Sequence, residues 1–298
     1  MHVLVTGATG LMGAALCRAL AGAGQRVTAV SRSPSPRLPP GVEAVQGDPA
    51  RPGRWQDALR ACDACVHLAG EPIAAGRWTE QRKRAIRDSR VESTRRIAEV
   101  VAAGGPAVLV SSSAVGYYGA RGDEVLDESS PPGEGFLADV CREWEAAASP
   151  AASRARVVLL RTGIVLAREG GALQRMLVPF RWFAGGPIGK GEFWQSWIHL
   201  RDEIEMVLWA LGADAVAGPL NATAPGPVRN RDLAAAIGRT LHRPSAVPVP
   251  PALLRLALGE LASVATAGQR AVPRTALDHG FRFRFPELGG ALRDLLGA

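Results

Sequence analysis

The residues with the clearest chemical potential lie in a glycine-rich turn near the start of the sequence. An apolar run, Val3–Thr6, leads into Gly7-Ala8-Thr9-Gly10-Leu11-Met12-Gly13, and a helical pattern over Leu11–Gly24 follows. Glycines at this spacing let the backbone turn tightly and approach a pyrophosphate, while a helix N-terminus presents unpaired N–H groups to negative charge. The sequence therefore predicts a dinucleotide-binding loop, the alternative being a glycine turn without a ligand. The predicted contact residues are Gly7, Thr9, Gly10, Leu11, Met12 and Gly13.

The end of the second predicted strand, Val27–Val30, indicates which dinucleotide would bind. A site for NAD usually carries Asp or Glu here, because a carboxylate accepts from the ribose 2′-hydroxyl and repels a 2′-phosphate. This chain has Ser31 and Arg32 instead, with Ser33 and Arg37 close by. Arginine forms charge-assisted hydrogen bonds to phosphate. The sequence therefore predicts NADP(H) over NAD(H), the alternative being a solvated surface arginine.

One arginine lies on the apolar face of a long predicted helix, Thr79–Ala103. Steps of three and four residues align Arg90 with Ile86, Ile97 and Val101. An arginine facing the sheet needs a negatively charged or accepting partner. We predict that this partner is the cofactor or a carboxylate near it, the alternative being an internal salt bridge.

Short apolar runs alternate with longer helical patterns in the first half of the chain. The predicted strands, rich in β-branched residues, are Val3–Thr6, Val27–Val30, Val42–Val45, Ala64–Leu68, Val108–Ser111 and Val157–Leu160. Most of them are separated by enough residues for a crossover helix. The pattern predicts an α/β fold with a doubly wound parallel sheet.

The length of 298 residues corresponds to about two domains. Residues 1–166 are predicted to form the nucleotide-binding domain, and the glycine- and proline-rich residues 167–298 mainly a smaller, substrate-facing region. A segment at about 201–225 is expected to return to the first domain. In that segment Asp202 is positioned to cap a helix, and the apolar run around Leu220 follows.

Charge and hydropathy narrow the classes of partner. The 35 basic residues exceed the 28 acidic ones, which favours anionic ligands. Lys83 and Lys190 are the only lysines, and no lysine-rich run or aromatic-interleaved strand indicates nucleic-acid binding. No apolar run is long enough to cross a bilayer, and the chain enters a strand at once, without a secretory signal. We therefore expect a cytoplasmic protein with a small-molecule substrate, with no nucleic-acid or membrane partner, and with homodimerisation left open.

The four cysteines, Cys17, Cys62, Cys65 and Cys141, fit a reducing compartment. Cys62 and Cys65 form a C-x-x-C pair with His67 two residues on, but a structural zinc site needs a second pair. We interpret these residues as part of the core and predict no metal.

Several motifs resemble those of the extended short-chain dehydrogenase/reductases, the sugar-nucleotide epimerase superfamily. They are the glycine fingerprint, Leu68-Ala69-Gly70, Ser111-Ser112-Ser113-Ala114 and Trp197-Ile198-His199-Leu200-Arg201-Asp202. Over essentially residues 1–298 the chain is similar to an atypical epimerase-like group, YfcH-type and cell-division-inhibitor-like, with a C-terminal domain of unknown function. The markers of that group are His67–Ile73, Arg77-Trp78-Thr79, Asp88-Ser89-Arg90, Phe136-Leu137, Cys141–Glu145, Leu160–Leu166, Gly268-Gln269-Arg270 and Gly280–Phe283.

The resemblance implies a cofactor site and a cleft closed by the C-terminal region. Leu68, Ala69 and Gly70 would contact the adenosine ribose and the adjacent backbone, and Val165 would lie on the nicotinamide side. It also implies chemistry by a Tyr-x-x-x-Lys pair, in which the lysine lowers the tyrosine pKa and a serine orients the substrate oxygen.

This chain departs from that pattern. The two tyrosines, Tyr117 and Tyr118, are followed four residues later by Arg121 and Gly122 rather than by lysine. The proton-relay pair of the superfamily is therefore missing from the positions where it would be expected.

Other residues take the corresponding places. In the predicted helix Phe136–Ala148, the positions four apart are Leu137 and Cys141. Ser113 matches the superfamily serine, and Tyr117 lies four residues further on, so Ser113, Tyr117 and Cys141 are the catalytic candidates. Local hydrogen bonding for the first two, and inert burial for the cysteine, are the alternatives.

Two functions remain in view. The first is an NADP(H)-dependent epimerase or oxidoreductase of unknown substrate. The second is a sensor or scaffold, cell-division related as the resemblance suggests, that binds the cofactor but has lost the chemistry. Whether the protein is an enzyme is left open, because this fold hosts many chemistries.

Overall fold

The computed structural model describes residues 1–266 and 268–297, with the side chains of 257, 258, 264 and 265 left out. Its strands are β1 (His2–Thr6), β2 (Arg26–Ser31), β3 (Val42–Gln46), β4 (Ala64–His67), β5 (Val108–Ala114), β6 (Val125–Leu126), β7 (Arg156–Thr162), β8 (Ile164–Leu166), β9 (Trp194–Gln195), β10 (Trp197–His199), β11 (Gly218–Ala222), β12 (Val228–Arg229) and β13 (Arg270–Ala271). Its α-helices are α1 (Leu11–Gly22), α2 (Trp55–Arg60), α3 (Glu80–Ala102), α4 (Phe136–Ala148), α5 (Gly171–Arg181), α6 (Leu200–Gly212), α7 (Asn230–Leu241), α8 (Pro251–Leu258), α9 (Leu261–Thr266), α10 (Arg274–Asp278) and α11 (Leu288–Leu296). Short 3₁₀ turns occupy Val115–Tyr118 and Ser149–Ser153.

A seven-stranded parallel sheet forms the centre of the fold, in the order β11-β7-β5-β4-β1-β2-β3. The order reverses direction at β1. The chain continues from β1 to β2 and β3 on one side of it, and then crosses back to β4 on the other side. In open α/β sheets such a reversal opens a crevice at the carboxyl ends of the strands. The predicted α/β, doubly wound fold is confirmed.

Residues alternate between the two faces of β1, and each face is covered by helices. Val3 and Val5 belong to the core formed with α1 and α6. Leu4 belongs to the core on the other face, with Ile97 of α3 and Trp55 of α2. Apolar side chains thus cover both faces of β1 and fix the strand in the middle of the sheet.

The helix around Asp202 corrects one expectation. Helix α6 begins at Leu200, and its cap is His199, whose Nδ1 accepts from the Arg201 N–H. Asp202 is instead completely buried, and its two carboxylate oxygens accept from the backbone N–H groups of Arg284 and Phe285. The carboxylate therefore anchors a C-terminal segment, a pairing distant in sequence that the local pattern could not show.

The later part of the chain has a core of its own, built by α5, α7 and α11 around Trp197 and Leu166. Two small two-stranded sheets lie outside the large sheet, with β8 beside β10 and β9 beside β12. Among the residues that the structure describes, no helix is long and apolar enough to span a bilayer.

One buried carboxyl group is only partly satisfied. Glu203 of α6 is completely buried and accepts at Oε1 from the Thr162 hydroxyl at 2.9 Å, while its Oε2 has no hydrogen-bond partner among the described residues. Burial raises the pKa of this carboxyl to about 8. Folding therefore holds a proton on Glu203 at neutral pH.

We expect Glu203→Gln to remove a pH-dependent destabilisation. In the unfolded chain the Glu203 carboxyl ionises at its ordinary pKa of 4.5, so between about pH 5 and pH 8 folding requires proton uptake. The free energy of unfolding of the parent protein should fall across this window relative to the variant, by about 4 kcal/mol at pH 8. Urea unfolding at pH 5, 6.5 and 8 measures the difference.

Glu205→Gln, at an exposed position of the same helix, is the matched control and should leave the pH dependence unchanged. Parallel pH curves for the parent and Glu203→Gln would contradict the assignment.

Candidate functional site

The glycine-rich turn connects β1 to α1 at the carboxyl edge of the sheet. Gly7 has a φ of 70°, and a Cβ atom there would lie 2.7 Å from the carbonyl carbon and oxygen of Leu68. A Cβ on Gly13 would lie 2.2 Å from the Gly7 carbonyl oxygen. Glycine at both positions therefore lets α1, the turn and the segment after β4 approach each other closely.

The N-terminus of α1 is open. Its cap is Gly10, which has no side chain to accept from the first turn, and the first helical hydrogen bond here runs from Ala14 N–H to the Gly10 carbonyl at 2.9 Å. The N–H groups of Leu11, Met12 and Gly13 thus have no partner within the helix. With exposed Thr9 preceding them, these donors and the positive end of the helix dipole suit a pyrophosphate.

A hydrogen-bonded chain fixes the segment after β4 against β1. The Thr6 hydroxyl oxygen accepts from the N–H groups of Leu68 and Ala69, both at 3.2 Å, and lies 2.6 Å from His67 Nδ1. His67 Nε2 lies 3.0 Å from the Ser93 hydroxyl, which donates to the Ser89 carbonyl at 2.6 Å. The chain therefore links β1, β4 and α3.

The same contacts define where each hydrogen sits. Because the Thr6 oxygen accepts from two N–H groups, its own hydrogen is donated to His67 Nδ1. His67 must then carry its hydrogen on Nε2 and donate it to Ser93. Complete burial, reinforced by the nearby Arg90 charge, lowers the pKa of His67 to about 3, so the ring stays neutral. His67, with Cys62 and Cys65, thus lies in the interior, with both ring nitrogens engaged by hydroxyl groups.

The segment that this chain holds in place faces Arg90. Arg90 Nη1 donates to the carbonyls of Glu71 and Ile86, each at 3.0 Å, and the guanidinium lies 5.2 Å from the Trp144 ring centroid. Its Cζ would be 3.2 Å from a Cβ on Gly70. Within the described residues Nε and Nη2 of Arg90 have no hydrogen-bond partner, and they lie beside the segment Leu68–Gly70.

Arg32 follows β2 at the same edge of the sheet. Its side chain is exposed, and no carboxylate of the described residues lies within ion-pair distance of it. The neighbouring Ser31 hydroxyl accepts from the Ser33 N–H at 3.2 Å, which shapes the turn. A free guanidinium and a hydroxyl group thus lie where β2 ends.

Val165 lies close to the glycine-rich turn. The Val165 carbonyl oxygen and the Leu11 side chain would lie 3.6 Å and 3.1 Å from a Cβ on Gly171. Val165 and the Leu11 side chain therefore both border Gly171, which brings β8 near the start of α1.

The candidate catalytic serine is part of a buried ionic network. Ser113 donates to Glu145 Oε1 at 2.6 Å, and Arg161 binds both oxygens of Glu145 through Nε and Nη2 at 2.8 Å. Arg161 Nη1 also donates to the Tyr118 hydroxyl at 2.9 Å, which donates to Asn221 Oδ1 at 2.7 Å. Burial raises the pKa of Tyr118 to about 12, so this hydroxyl stays protonated.

The structure brings the other two candidates close to this network. The Tyr117 ring lies over the Arg161 guanidinium, with its centroid 3.6 Å from Cζ. Cys141 is buried and interacts with the Ser113 hydroxyl and the Ala114 backbone. Burial, with a further contribution from Glu145, raises the pKa of Cys141 to about 12, which keeps it a thiol.

Sequence reasoning missed Glu145, Arg161 and the Thr6–His67–Ser93 chain as parts of the site. A signal was present for Arg161, since a charged residue at the end of the apolar strand β7 needs a buried partner. The identity of that partner, 16 residues earlier on α4, depends on tertiary packing.

Comparison with known proteins places the chain among epimerase-like proteins. Residues 3–221 match the model of the NAD dependent epimerase/dehydratase family, and residues 249–295 match DUF1731, a domain of unknown function. The chain is 40% identical to the chloroplastic epimerase family protein SDR39U1 homolog of Arabidopsis thaliana, over 99% of this chain and 87% of that protein.

Two solved structures are similar over the whole chain. Human epimerase family protein SDR39U1 (isoform 2), solved with NADPH, has a TM-score of 0.89 and 37% identity, covering 100% of this chain and 99% of that one. A nucleoside-diphosphate sugar epimerase from Corynebacterium glutamicum has a TM-score of 0.82 and 36% identity, covering 100% of this chain and 58% of that one.

We expect Thr6→Val to lower the free energy of unfolding by about 2 kcal/mol, because it leaves the Ala69 N–H and His67 Nδ1 without a partner in a buried place. Urea unfolding measures the loss. Thr6→Ser, which restores the hydroxyl, should recover most of it.

Thr28→Val, on neighbouring β2, is the matched control because Thr28 bonds only the partly exposed His2 ring, at 2.8 Å. It should cost under about 1 kcal/mol. Equal losses for the two valine variants would contradict the proposed linking role of Thr6.

Proposed function

The chain belongs to the NAD dependent epimerase/dehydratase family, and from that premise we propose that it is an NADP(H)-dependent epimerase-like oxidoreductase acting on a small carbonyl or sugar-type substrate. The observation that carries the cofactor assignment is Arg32, an unpaired guanidinium where an NAD-preferring site has a carboxylate. The NADPH in the human relative, which is similar over its whole length, supports the same choice.

In this proposal the segments that follow β1, β2, β4 and β7 each bind one part of the dinucleotide. The N–H groups of Leu11, Met12 and Gly13 hold the pyrophosphate, while Gly7 and Gly10 let it approach and Thr9 flanks it. Ser31 and Arg32 bind the 2′-phosphate. Leu68, Ala69 and Gly70 contact the ribose and adjacent backbone, with the free Arg90 donors beside them, and Val165 borders the nicotinamide side.

The division of labour between the two parts of the chain is also a proposal. Residues 1–166, with the returning segment at about 201–225, form the nucleotide-binding domain. The remainder, mainly residues 167–298, forms the substrate-facing region. The position of β11 at the edge of the seven-stranded sheet supports the return of this segment.

A bound nicotinamide supplies or accepts a hydride. Ser113, whose own hydrogen points at Glu145, presents its remaining lone pairs as acceptors for a substrate hydroxyl. Arg161 donates to both carboxylate oxygens of Glu145 and fixes that group, so the serine hydroxyl keeps one orientation. Tyr117 lies over Arg161 and borders the position proposed for the substrate hydroxyl. Cys141 contributes a neutral thiol beside Ser113.

A second function has its own observation. The helix positions that would carry the tyrosine and lysine of this chemistry hold Leu137 and Cys141. Without that pair, the protein would bind NADP(H) and act as a cofactor-responsive sensor or scaffold. The two functions differ in whether bound NADPH is ever oxidised.

We expect Arg32→Ala to weaken NADPH binding by about 10- to 100-fold while changing NADH affinity less than about threefold, since the guanidinium meets only the 2′-phosphate. Calorimetric titration with both cofactors measures this. Arg26→Ala, at the opposite end of β2 and paired to Glu43 on the surface, is the matched control. Equal losses for NADPH and NADH would contradict the assignment.

Single-turnover oxidation of bound NADPH over a panel of carbonyl compounds and nucleotide sugars separates the enzyme from the sensor. If the protein is an enzyme, at least one compound should be reduced, and Ser113→Ala should slow that turnover by about 100-fold or more. Ser112→Ala, whose side chain points to the other face of β5, should leave it within a few-fold. Absence of turnover with every compound would favour the sensor.

A further inference from the structure

Two adjoining cavities lie in the C-terminal part of the molecule. The first, of about 260 Å³, lies between the segment 188–193 and the helices α8 and α9. The second, of about 340 Å³, is bordered by Ala120, Gly122 and Asp123 on one side and by Trp194 and Arg229 on the other. Glu192, Phe193 and Thr266 line both cavities, so the two adjoin along these residues, and we refer to them together as the groove.

A tight turn places Lys190 at the first cavity. Its flanking glycines have φ values of 56° and 63°, and the Gly191 N–H closes the turn on the Ile188 carbonyl at 2.9 Å. A Cβ on Gly191 would lie 2.7 Å from the Arg231 backbone nitrogen, so no larger residue fits there. The backbone therefore fixes the root of the Lys190 side chain at the cavity.

Arg255 enters from the opposite wall, on α8. The α8–α9 pair is attached to the nucleotide-binding part of the chain by Lys83, which pairs with Glu260 at 2.5 Å, and by Arg77, which donates to the Leu256 carbonyl. The wall that carries Arg255 is thereby connected to α3 and to the loop that follows Gly70.

The cations that line the groove differ in their partners. Arg229 is neutralised, since it pairs with Asp123 at 2.8 Å and also donates to the Glu192 carbonyl. Neither Lys190 nor Arg255 has a carboxylate within ion-pair distance in the described part of the chain. Two unneutralised cations therefore face one cavity, with Glu192 as its single acidic side chain.

We propose that this cavity binds the anionic group, a phosphate or a carboxylate, of a small hydroxylated substrate. Lys190 and Arg255 bind the anion, and Glu192 accepts hydrogen bonds from hydroxyl groups beside it. The inference rests on the proposed function, because it assigns the substrate class of the same enzyme.

The second cavity indicates where a longer substrate would extend. It adjoins the anion site at Phe193 and Thr266, and its far side includes Ala120, three residues beyond Tyr117. A ligand anchored at Lys190 and long enough to enter the second cavity would reach this loop. The apolar face of Phe193 suits the carbon skeleton between the two ends.

The test uses the full protein saturated with NADPH, so that added anions cannot occupy the cofactor site. The binding of inorganic pyrophosphate is measured by calorimetry and by ³¹P line-broadening. The binding of citrate and of glucose is measured by calorimetry. We expect pyrophosphate or citrate to bind in the millimolar range or tighter, and glucose alone to bind more weakly. Comparing pyrophosphate with citrate tells a phosphate preference from a carboxylate preference.

The double variant Lys190→Met with Arg255→Leu should weaken anion binding by at least about tenfold. Its matched control is Arg154→Leu with Arg282→Leu, which removes the same charge from two exposed positions that line neither cavity and should change binding less than twofold. Both substituted pairs are exposed, so circular dichroism should show an unchanged fold.

NADPH affinity is measured on every sample. Unchanged NADPH affinity with no anion response, or with equal responses in both double variants, overturns the anion site alone. Failure of the parent protein to bind NADPH counts against the proposed function instead, and the anion titration then still compares the two double variants.

Discussion

The structure depends on the close approach of two segments that follow β1 and β4. A dinucleotide can lie across the sheet edge only if the glycine-rich turn and the Leu68–Gly70 segment stay in register, and the missing Cβ atoms of Gly7 and Gly13 allow that approach. The absence of a steric clash does not by itself fix the conformation of a loop. The buried Thr6–His67–Ser93 chain supplies the order, because every hydrogen in it has one donor and one acceptor. A neutral His67 suits this role, since a second ring hydrogen would leave Thr6 with no acceptor for its own.

The buried network around Arg161 shows that fixing side-chain orientations in this way has a cost in free energy. A buried ion pair gains little net free energy over an apolar pair of the same shape, because both charges lose water. What the Glu145–Arg161 pair does provide is direction, since two parallel hydrogen bonds fix the carboxylate plane and the serine hydrogen then has one acceptor. The pair also carries Tyr118 and, through it, Asn221 on the edge strand β11. One ionic contact thus ties α4, three strands and a catalytic candidate together.

How much of this could be read from the sequence follows from the range of each interaction. The strands around β1 and the glycine-rich turn are local patterns, so their positions were predicted within a residue or two. The helix predicted over Thr79–Ala103 was local too: α3 spans Glu80–Ala102, and the Thr79 side chain caps it by accepting from the Arg82 N–H. The capping role predicted for Asp202 was wrong, because this residue lies three positions after the cap His199 and its carboxylate binds N–H groups 82 and 83 residues away. Glu145 and Ser93 were missed for the same reason, since a polar side chain gives no sign of which distant group it will meet.

The distribution of charged side chains bears on both the cofactor site and the proposed anion site. The chain carries a net charge of +7, yet many of its arginines are neutralised nearby, as Arg82 is by Glu71 and Arg87 by Glu143. Arg32, Lys190 and Arg255 are among the cations that have no carboxylate within ion-pair distance in the described residues. An unpaired surface cation costs little in water, so stability alone does not demand a partner for it. Position sets these three apart, since Arg32 directly follows β2 while Lys190 and Arg255 line a single cavity. In the proposed function, the 2′-phosphate of the cofactor neutralises Arg32, and the anionic group of the substrate neutralises Lys190 and Arg255.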